Sequence, residues 1–238
     1  MENYKFNQKL KEGIIIERQH SFIMMVNLNG KEERCYCPCI TSIGHIELKG
    51  RPCLLWDSNN PNRKTCYTVK AVSLNKPEDK NKSWIGIDQL ESNKYIEHFF
   101  KQNAFKKMID TKDLEILHEQ KLGESRLDFK IGNIYVENKT ILRLDMEIPE
   151  YIQLKKPYSL PKFNGKGRFD KHLNELYNSL ESHERAIMLG TFLYDNKKNL
   201  KRDKSIGGYD EQFTKVESWQ VNLEINEEEV KLISYYKV

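Results

Sequence analysis

The sequence has little proline and glycine, an odd number of cysteines and no long apolar run. Of 238 residues, 7 are proline, 12 are glycine and 5 are cysteine. No tract rich in serine, glycine or proline marks a disordered linker. Apolar runs such as 22–26 and 186–189 are far shorter than the roughly 18 residues of a membrane span. Five cysteines and no apolar leader at the N-terminus favour a reducing, cytoplasmic setting without a membrane anchor.

An excess of one charge sign is also missing. The chain has 39 Lys and Arg against 35 Asp and Glu, a net charge of +4. This balance excludes a polycation that coats nucleic acid through bulk charge, so any basic site must be local. Hydrophobic residues make up 38%, enough for a packed core, and the length allows one large domain or two small ones.

The N-terminal part of the chain predicts a small all-β domain. Short strand patterns separated by turn residues occur at 14–17, 22–28, 33–37, 43–48, 52–56 and 66–74. Asn29-Gly30 is a hairpin signal. Five or six strands without a helix predict a closed barrel such as the OB-fold, with a small β-sandwich as the alternative. The polar, proline-containing stretch 75–83 ends this domain, which we place at residues 1–83.

Residues 84–238 predict an α/β domain. Asp88 and Glu91 form a capping-box pair before a helix that reaches about Met108. The later pattern predicts strands at 114–119, 126–131 and 134–138, a helix at 169–180, a strand at 185–194, a helix at 210–220, and strands near Val221 and Val230. Helices alternating with strands in this order indicate an α/β arrangement.

Two carboxylates and a lysine fall on the predicted hairpin of this domain. Asp128 lies in an apolar strand context, where an unpaired carboxylate costs several kcal/mol. Glu137 and Lys139 are two residues apart on the next strand, so they point to one face that Asp128 can share. Two carboxylates suit Mg²⁺, and a lysine can orient water and offset phosphoryl charge. The backbone carbonyl of Asn138 is a further candidate ligand.

Glu119 extends this candidate site. It lies on the preceding strand, nine residues before Asp128, so three carboxylates can gather at one sheet edge. The alternative is structural, because a salt-bridged sheet edge has the same residue pattern. In that case Glu119 pairs with Lys121 or Arg126 on a solvated strand end.

At these residues the chain resembles the sugar fermentation stimulation protein A family of bacteria and archaea. The family run E-x-K-x-G-x-x-x-S-R-x-D-F is similar to EQKLGESRLDF at 119–129, and x-E-V-K-x-V-T-L is similar to the run from Val136 to Thr140. Similar segments are SNNPNRK at 58–64, residues 85–93, and KHLNEL at 171–176. Asn138 stands where the family has an apolar residue, and Asp88 replaces an asparagine.

The resemblance implies an N-terminal all-β OB-like barrel followed by an α/β restriction-endonuclease-like domain of the PD-(D/E)XK type. Family members are labelled DNA-binding proteins or nucleases. The resemblance therefore agrees with Asp128, Glu137 and Lys139 as catalytic residues and with Mg²⁺ or Mn²⁺ as cofactor.

Local clusters of basic residues also favour nucleic acid as the partner. From Lys155 to His172, six Lys and Arg stand against Asp170 alone, a net charge of +5. The candidate contacts to nucleic acid are Arg63, Lys64, Arg126, Arg168, Lys171 and His172. Trp56, Tyr36 and Tyr67 can add base stacking, or else belong to the barrel core. For the basic helix face, the alternative is a solvated surface.

Three alternating cysteines leave a further choice. Cys35, Cys37 and Cys39, together with Cys53 or Cys66, form either a zinc site or a group of reduced, partly buried thiols. The spacing favours the thiols, because zinc ribbons separate paired ligands by two to four residues.

The leading functional hypothesis is a Mg²⁺-dependent DNA-binding protein that hydrolyses phosphodiester bonds with low sequence preference. The rival is a DNA-binding transcriptional regulator of sugar metabolism that keeps the site without turnover. A homodimer is compatible with the sequence.

Overall fold

The computed structural model describes residues 1–39, 43–142, 144, 146–155, 166–183, 185–198 and 214–238, with the backbone alone at 166–168. Within these residues the first seven strands are β1 (Tyr4–Lys5), β2 (Lys11–His20), β3 (Ile23–Leu28), β4 (Lys31–Tyr36), β5 (Pro52–Asp57), β6 (Tyr67–Ser73) and β7 (Trp84–Gly86). The remaining elements are α1 (Ser92–Lys101), β8 (Ile116–Leu122), β9 (Ser125–Ile131), β10 (Ile134–Thr140), α2 (Lys166–Ser179), β11 (Arg185–Phe192), β12 (Glu217–Ile225) and β13 (Glu229–Lys237).

Strands β2 to β6 close into a barrel. Antiparallel pairs join β4 to β3, β3 to β2, β2 to β5 and β5 to β6. A parallel pair between β4 and β6 closes the ring at Cys35↔Tyr67. This closed five-stranded arrangement fits an OB-like barrel, which confirms that part of the sequence prediction.

The predicted strand at 43–48 is wrong. This segment forms turns and one isolated bridge, Ile46↔Leu154. Gly44 and His45 have φ angles of 57° and 55°, a left-handed backbone that interrupts a strand. Ile43, Ile46 and Leu48 are nevertheless buried in the barrel core, so their apolar pattern reflects burial rather than strand formation.

The barrel core contains four of the cysteines. The side chains of Cys35, Cys37, Cys39 and Cys53 are fully buried and free of disulfides. Burial raises the pKa of Cys35 to about 12 and that of Cys37 to about 11, which keeps both thiols protonated. Among the described residues, no group of three or more His, Cys, Asp or Glu side chains is arranged to hold a metal. The four cysteines in the barrel core are thus buried thiols without disulfides, as one of the two alternatives expects.

A single sheet continues from the barrel into the second part of the chain. Strand β7 pairs with β6 on one side and with β12 on the other. The sheet then runs β12-β11-β10-β9-β8, and β13 joins β12 to the short β1. Strands β10, β11 and β12 are parallel neighbours, with α2 as the crossover between β10 and β11. The division at residue 83 stays a prediction.

Two helix predictions differ from the structure. Helix α1 ends at Lys101 rather than near Met108, because Asn103 adopts a left-handed φ of 56°. Asp88 does not form a capping box, since the N-terminal flanking residue is Glu91 and Asp88 instead pairs with Lys70. The predicted helix at 210–220 is also wrong at its C-terminal end, although Thr214 and Lys215 lie in a short 3₁₀ turn. Residues 210–213 lie outside the described residues, and 217–220 begin strand β12.

In the part of the chain that the structure describes, no helix is long and apolar enough to cross a membrane.

Candidate metal centre

The predicted carboxylate hairpin is present as strands β9 and β10. They are antiparallel, with Ile131↔Ile134 and Phe129↔Val136 as register pairs around the Gly132-Asn133 turn. The next step of this register sets Asp128 opposite Glu137. The backbone N–H of Asp128 donates to Oε2 of Glu137 at 3.3 Å. The alternation of the strands thus brings the two carboxylates to one face, as the sequence predicts.

Glu137 is the more buried of the two carboxylates, with 2% of its surface exposed. The ammonium group of Lys139 and Nδ1 of His172 both contact its Oε1. Because a carboxylate only accepts hydrogen bonds, Nδ1 of His172 carries a proton in this contact. Burial raises the pKa of Glu137, but the hydrogen bonds and positive charge of His172 and Lys139 outweigh burial and leave that pKa below its ordinary value. Glu137 is therefore ionised at neutral pH.

Asp128 is half-buried, and its negative charge is less well compensated by neighbouring groups than that of Glu137. Its Oδ2 accepts the backbone N–H of Asn138 at 2.7 Å, and its Oδ1 accepts Nδ2 of Asn93 at 2.8 Å. Burial and the negative charge of Glu137 nevertheless raise the pKa of Asp128 to about 6. The ionised form of Asp128 is thus less favourable than in an ordinary aspartate, although it still predominates at neutral pH.

A chain of polar side chains that the sequence reasoning missed orients Asp128. Thr191 donates to Oδ1 of Asn138 at 2.6 Å, and Nδ2 of Asn138 donates to Oδ1 of Asn93 at 2.8 Å and to Oγ of Ser92 at 3.1 Å. Asn93 then donates to Asp128. From Thr191 through Asn138 and Asn93, each side chain donates a hydrogen bond to the next, and the last bond ends on the carboxylate of Asp128. Asp128 is therefore the acceptor in this network. The role of the Asn138 carbonyl as a ligand stays a prediction.

Helix α2 brings His172 to the site. Lys171 and Glu175, four residues apart, both bind the turn between β8 and β9: Nζ of Lys171 lies 3.2 Å from Oε2 of Glu124, and the backbone N–H of Glu124 donates to Glu175 at 3.1 Å. With this face of the helix on the turn, His172 points inward and is only 5% exposed. The alternative of a solvated helix face is therefore wrong for His172, because the residue packs against Glu137. Its contact with nucleic acid stays a prediction.

Glu119 does not join the carboxylate pair. It falls at the register position opposite Asp128, between the pairs His118↔Phe129 and Gln120↔Leu127. Its backbone is left-handed, with φ at 48°, and its side chain is exposed. Among the described contacts, none links Glu119 to Asp128 or Glu137. Its role as a ligand stays a prediction.

The remaining predicted nucleic-acid residues lie on the surface where they are described. Arg63, Lys64, Arg126 and Lys171 are exposed. The side chain of Arg168 lies outside the described residues, as does segment 156–165, which carries part of the predicted basic cluster.

The donor set at Asp128 and Glu137 fits a hard divalent cation. Mg²⁺ is commonly held by one or two carboxylates together with water and substrate phosphate, so a third protein ligand is not required. Two facing carboxylates, one with a raised pKa, are the arrangement that a bound cation stabilises most. Hard oxygen ligands also suit Mn²⁺ and Ca²⁺.

Comparison with known proteins adds relatives and a structural match. A sugar fermentation stimulation protein homolog of Trichodesmium erythraeum is 29% identical over 194 residues, covering 79% of this chain and 72% of the relative. A homolog of the same name from Pseudoalteromonas atlantica is 28% identical, covering 78% and 75%. The structure of Pyrococcus furiosus SfsA in complex with Ca²⁺ has a TM-score of 0.69 and 20% identity, covering 99% of this chain and 97% of that one. No protein-family model matches the chain.

The fold defines a protein in which an OB-like barrel and an α/β unit share one sheet, with a carboxylate pair on a hairpin of the α/β unit. Over more than three quarters of its length, the chain is similar to members of the sugar fermentation stimulation protein family, at 28–29% identity.

Proposed function

We propose that this chain binds nucleic acid, DNA in the first place, and hydrolyses its phosphodiester bonds with a divalent cation held by Asp128 and Glu137. The proposal rests on one observation: the two carboxylates face each other on neighbouring strands, and the ammonium group of Lys139 contacts Glu137. The succession α1-β8-β9-β10-α2-β11, with the acids on the β9–β10 hairpin, supports a PD-(D/E)XK domain. The relative from Pyrococcus furiosus was solved with Ca²⁺, which supports a divalent cation in this family.

Each residue of the centre has a definite task in this proposal. Asp128 and Glu137 supply the carboxylate oxygens, and the chain Thr191-Asn138-Asn93 keeps Asp128 directed at the site. When bound, Mg²⁺ or Mn²⁺ stabilises developing phosphoryl charge and lowers the pKa of a coordinated water.

Lys139 and His172 complete the centre. Lys139 offsets negative charge and orients the attacking water through its ammonium group. His172 restrains Glu137 by its hydrogen bond to Oε1, which fixes the rotamer of that side chain.

A non-catalytic DNA-binding regulator is the second candidate. One observation favours it: Lys139 and His172 both contact Oε1 of Glu137, and Nζ of Lys139 lies 3.3 Å from Nδ1 of His172. In this position Lys139 stabilises the negative charge of Glu137 and is not available to orient an attacking water. The site would then be kept for its structure and not for catalysis.

Incubation with single- and double-stranded DNA and RNA in Mg²⁺ and in Mn²⁺ separates the two candidates. We expect cleavage by the wild-type protein, and we expect its loss in Asp128→Ala and Glu137→Gln. Glu32→Gln, an exposed glutamate on β4, is the matched control and should cleave normally. Binding without cleavage in either metal would support the regulator, whereas cleavage retained in Asp128→Ala would contradict this assignment of the site.

A further inference from the structure

We propose that the cleft between the barrel and the first turn of α1 binds an unpaired nucleobase of a single-stranded nucleic acid, beside the carboxylate centre. The cleft has a volume of about 500 Å³, within the range of ligand sites in proteins. This inference rests on the proposed function, because it assigns the form of nucleic acid that reaches the same centre.

The floor of the cleft is a row of side chains across three barrel strands. Tyr36 on β4 is the register partner of Thr68 on β6, and Thr68 is the partner of Trp56 on β5. All three line the cleft. Neighbours in register share one face of a sheet, so two aromatic rings flank one small polar residue.

The rings of this floor are held in place. Nε1 of Trp56 donates to Oδ1 of Asn7 at 3.1 Å, and Nζ of Lys70 lies 5.6 Å from the centre of a Trp56 ring. Tyr36 is stacked on Phe22, with ring centres 6.4 Å apart and an interplanar angle of 14°. Phe22 is 43% exposed, so the aromatic surface continues beyond the cleft. Fixed aromatic faces are what unpaired bases stack on, whatever their identity.

The charge of the cleft suits a polyanion. Four cations line it against Asp88 and Glu91, a net charge of +2, and these cations are Lys5, Arg63, Lys70 and Lys94. Asp88 is neutralised by its buried ion pair with Lys70, Glu91 lies 2.8 Å from Nζ of Lys94, and Lys5 is paired with Glu229 outside the lining. Among the described contacts, Arg63 is therefore the lining cation that no acidic side chain neutralises. Arg63, exposed on the loop between β5 and β6, is the cation best placed to meet a phosphate at the rim.

The first turn of α1 joins the cleft to the carboxylate centre. Glu91 and Lys94 line the cleft, while Ser92 and Asn93 between them contact the Asn138 and Asp128 side chains. The two sites thus lie on different faces of one helical turn, and a helix with its side chains is only about 10–12 Å across, so one strand of nucleic acid can reach both. A duplex cannot use the floor, because its bases are already stacked on each other. An unpaired base leaves its faces free for Trp56 or Tyr36.

Tryptophan fluorescence tests the inference directly. The chain has 3 tryptophans, and two of them, Trp84 and Trp219, are 5% and 8% exposed, whereas Trp56 is half-buried and lines the cleft. Titration of the protein in EDTA, where metal-dependent cleavage is prevented, uses oligodeoxyuridylate and oligouridylate of about eight nucleotides, which differ only in the sugar and fall within the span of one OB-type barrel. We expect both to quench the emission, with the tighter ligand identifying the preferred sugar. A blunt duplex of equal length should bind at least roughly 10-fold more weakly.

Variants identify the contact. Trp56→Leu should weaken oligonucleotide binding about 10-fold or more, measured with a labelled oligonucleotide, and Trp56→Phe should restore part of it. Arg63→Ala should weaken binding several-fold and lower its salt dependence, whereas Lys106→Ala, an exposed lysine outside the cleft lining, should not.

The outcomes distinguish this inference from the proposed function. If Trp56→Leu and Arg63→Ala bind as the wild type does, or if the duplex quenches as well as the single strand, the cleft is not a base site. Metal-dependent cleavage by the same protein would then leave the proposed function standing. If no nucleic acid is bound or cleaved, both fail together.

Discussion

The pKa of Asp128 is raised from 3.8 to about 6 by burial and by the charge of Glu137. Because this folded-state pKa lies above the unfolded one, the folded protein keeps a proton that the unfolded chain releases. Stability is therefore present at lower pH and is lost as pH rises through the folded pKa. Converting the difference between the two pKa values gives a loss of about 2 kcal/mol between about pH 4.5 and about pH 7.5.

The substitution Asp128→Asn separates this pH-dependent loss of folding stability from the other effects of pH on the protein. An amide has one acceptor oxygen, so either the Asn138 N–H or the Asn93 amide loses its partner, at a cost of about 1–2 kcal/mol that does not depend on pH. The variant cannot ionise at this position. The stability difference between the two proteins should thus shift by about 2 kcal/mol in favour of the variant as pH rises across this window.

Urea unfolding followed by circular dichroism in EDTA measures this difference at the two pH values. Saturating Mg²⁺ should then raise the melting temperature of the wild type and suppress its pH dependence, while leaving the variant unchanged. Parallel pH profiles for the two proteins, or equal stabilisation of both by Mg²⁺, would refute the reasoning. A wild type insensitive to Mg²⁺ together with a strongly destabilised variant would show that Asp128 is a structural residue.

Two further predictions concern contacts away from the Asp128–Glu137 pair. Arg185 holds both oxygens of Glu217, at 2.6 and 3.0 Å, and this contact lowers the pKa of Glu217 to about 2 despite partial burial. Glu217→Gln should therefore lower the free energy of unfolding by about 1–2 kcal/mol at neutral pH, allowing for solvent screening. Urea unfolding should show this difference between the two proteins disappearing as pH falls from about 4.5 to about 2. Gly123 has a φ of +55°, and a Cβ there would lie 2.1 Å from Oε2 of Glu175. Gly123→Ala should therefore lower the melting temperature more than Gly30→Ala. Gly30 has a φ of +86°, but nothing lies within 4 Å of a Cβ placed there. Equal losses in the two variants would contradict the close contact between Glu175 of α2 and the turn that joins β8 to β9.

The hairpin of the candidate site could be predicted because local rules decide it. Gly132-Asn133 marks the turn, and strict alternation then sets Asp128 and Glu137 on one face whatever the rest of the chain does. The barrel strands followed from short apolar runs and turn residues for the same reason.

Long-range contacts could not be predicted in the same way. Asn93 and His172 reach the site from helices far away in the chain, and nothing in their own segments indicates which acid they meet. The segment 43–48 and strand β12 were misassigned because burial and periodicity look alike over a few residues. Asp88 has the spacing of a capping residue, but its buried ion pair with Lys70 overrides that local preference.

Cation binding tests the central claim most directly. Isothermal titration of the apo protein with Mn²⁺, repeated with Ca²⁺, should show a cation bound by the wild type and lost in both Asp128→Ala and Glu137→Gln, while Glu32→Gln binds normally. Equal stoichiometry and affinity in all four proteins would contradict the assignment of Asp128 and Glu137 as the metal ligands.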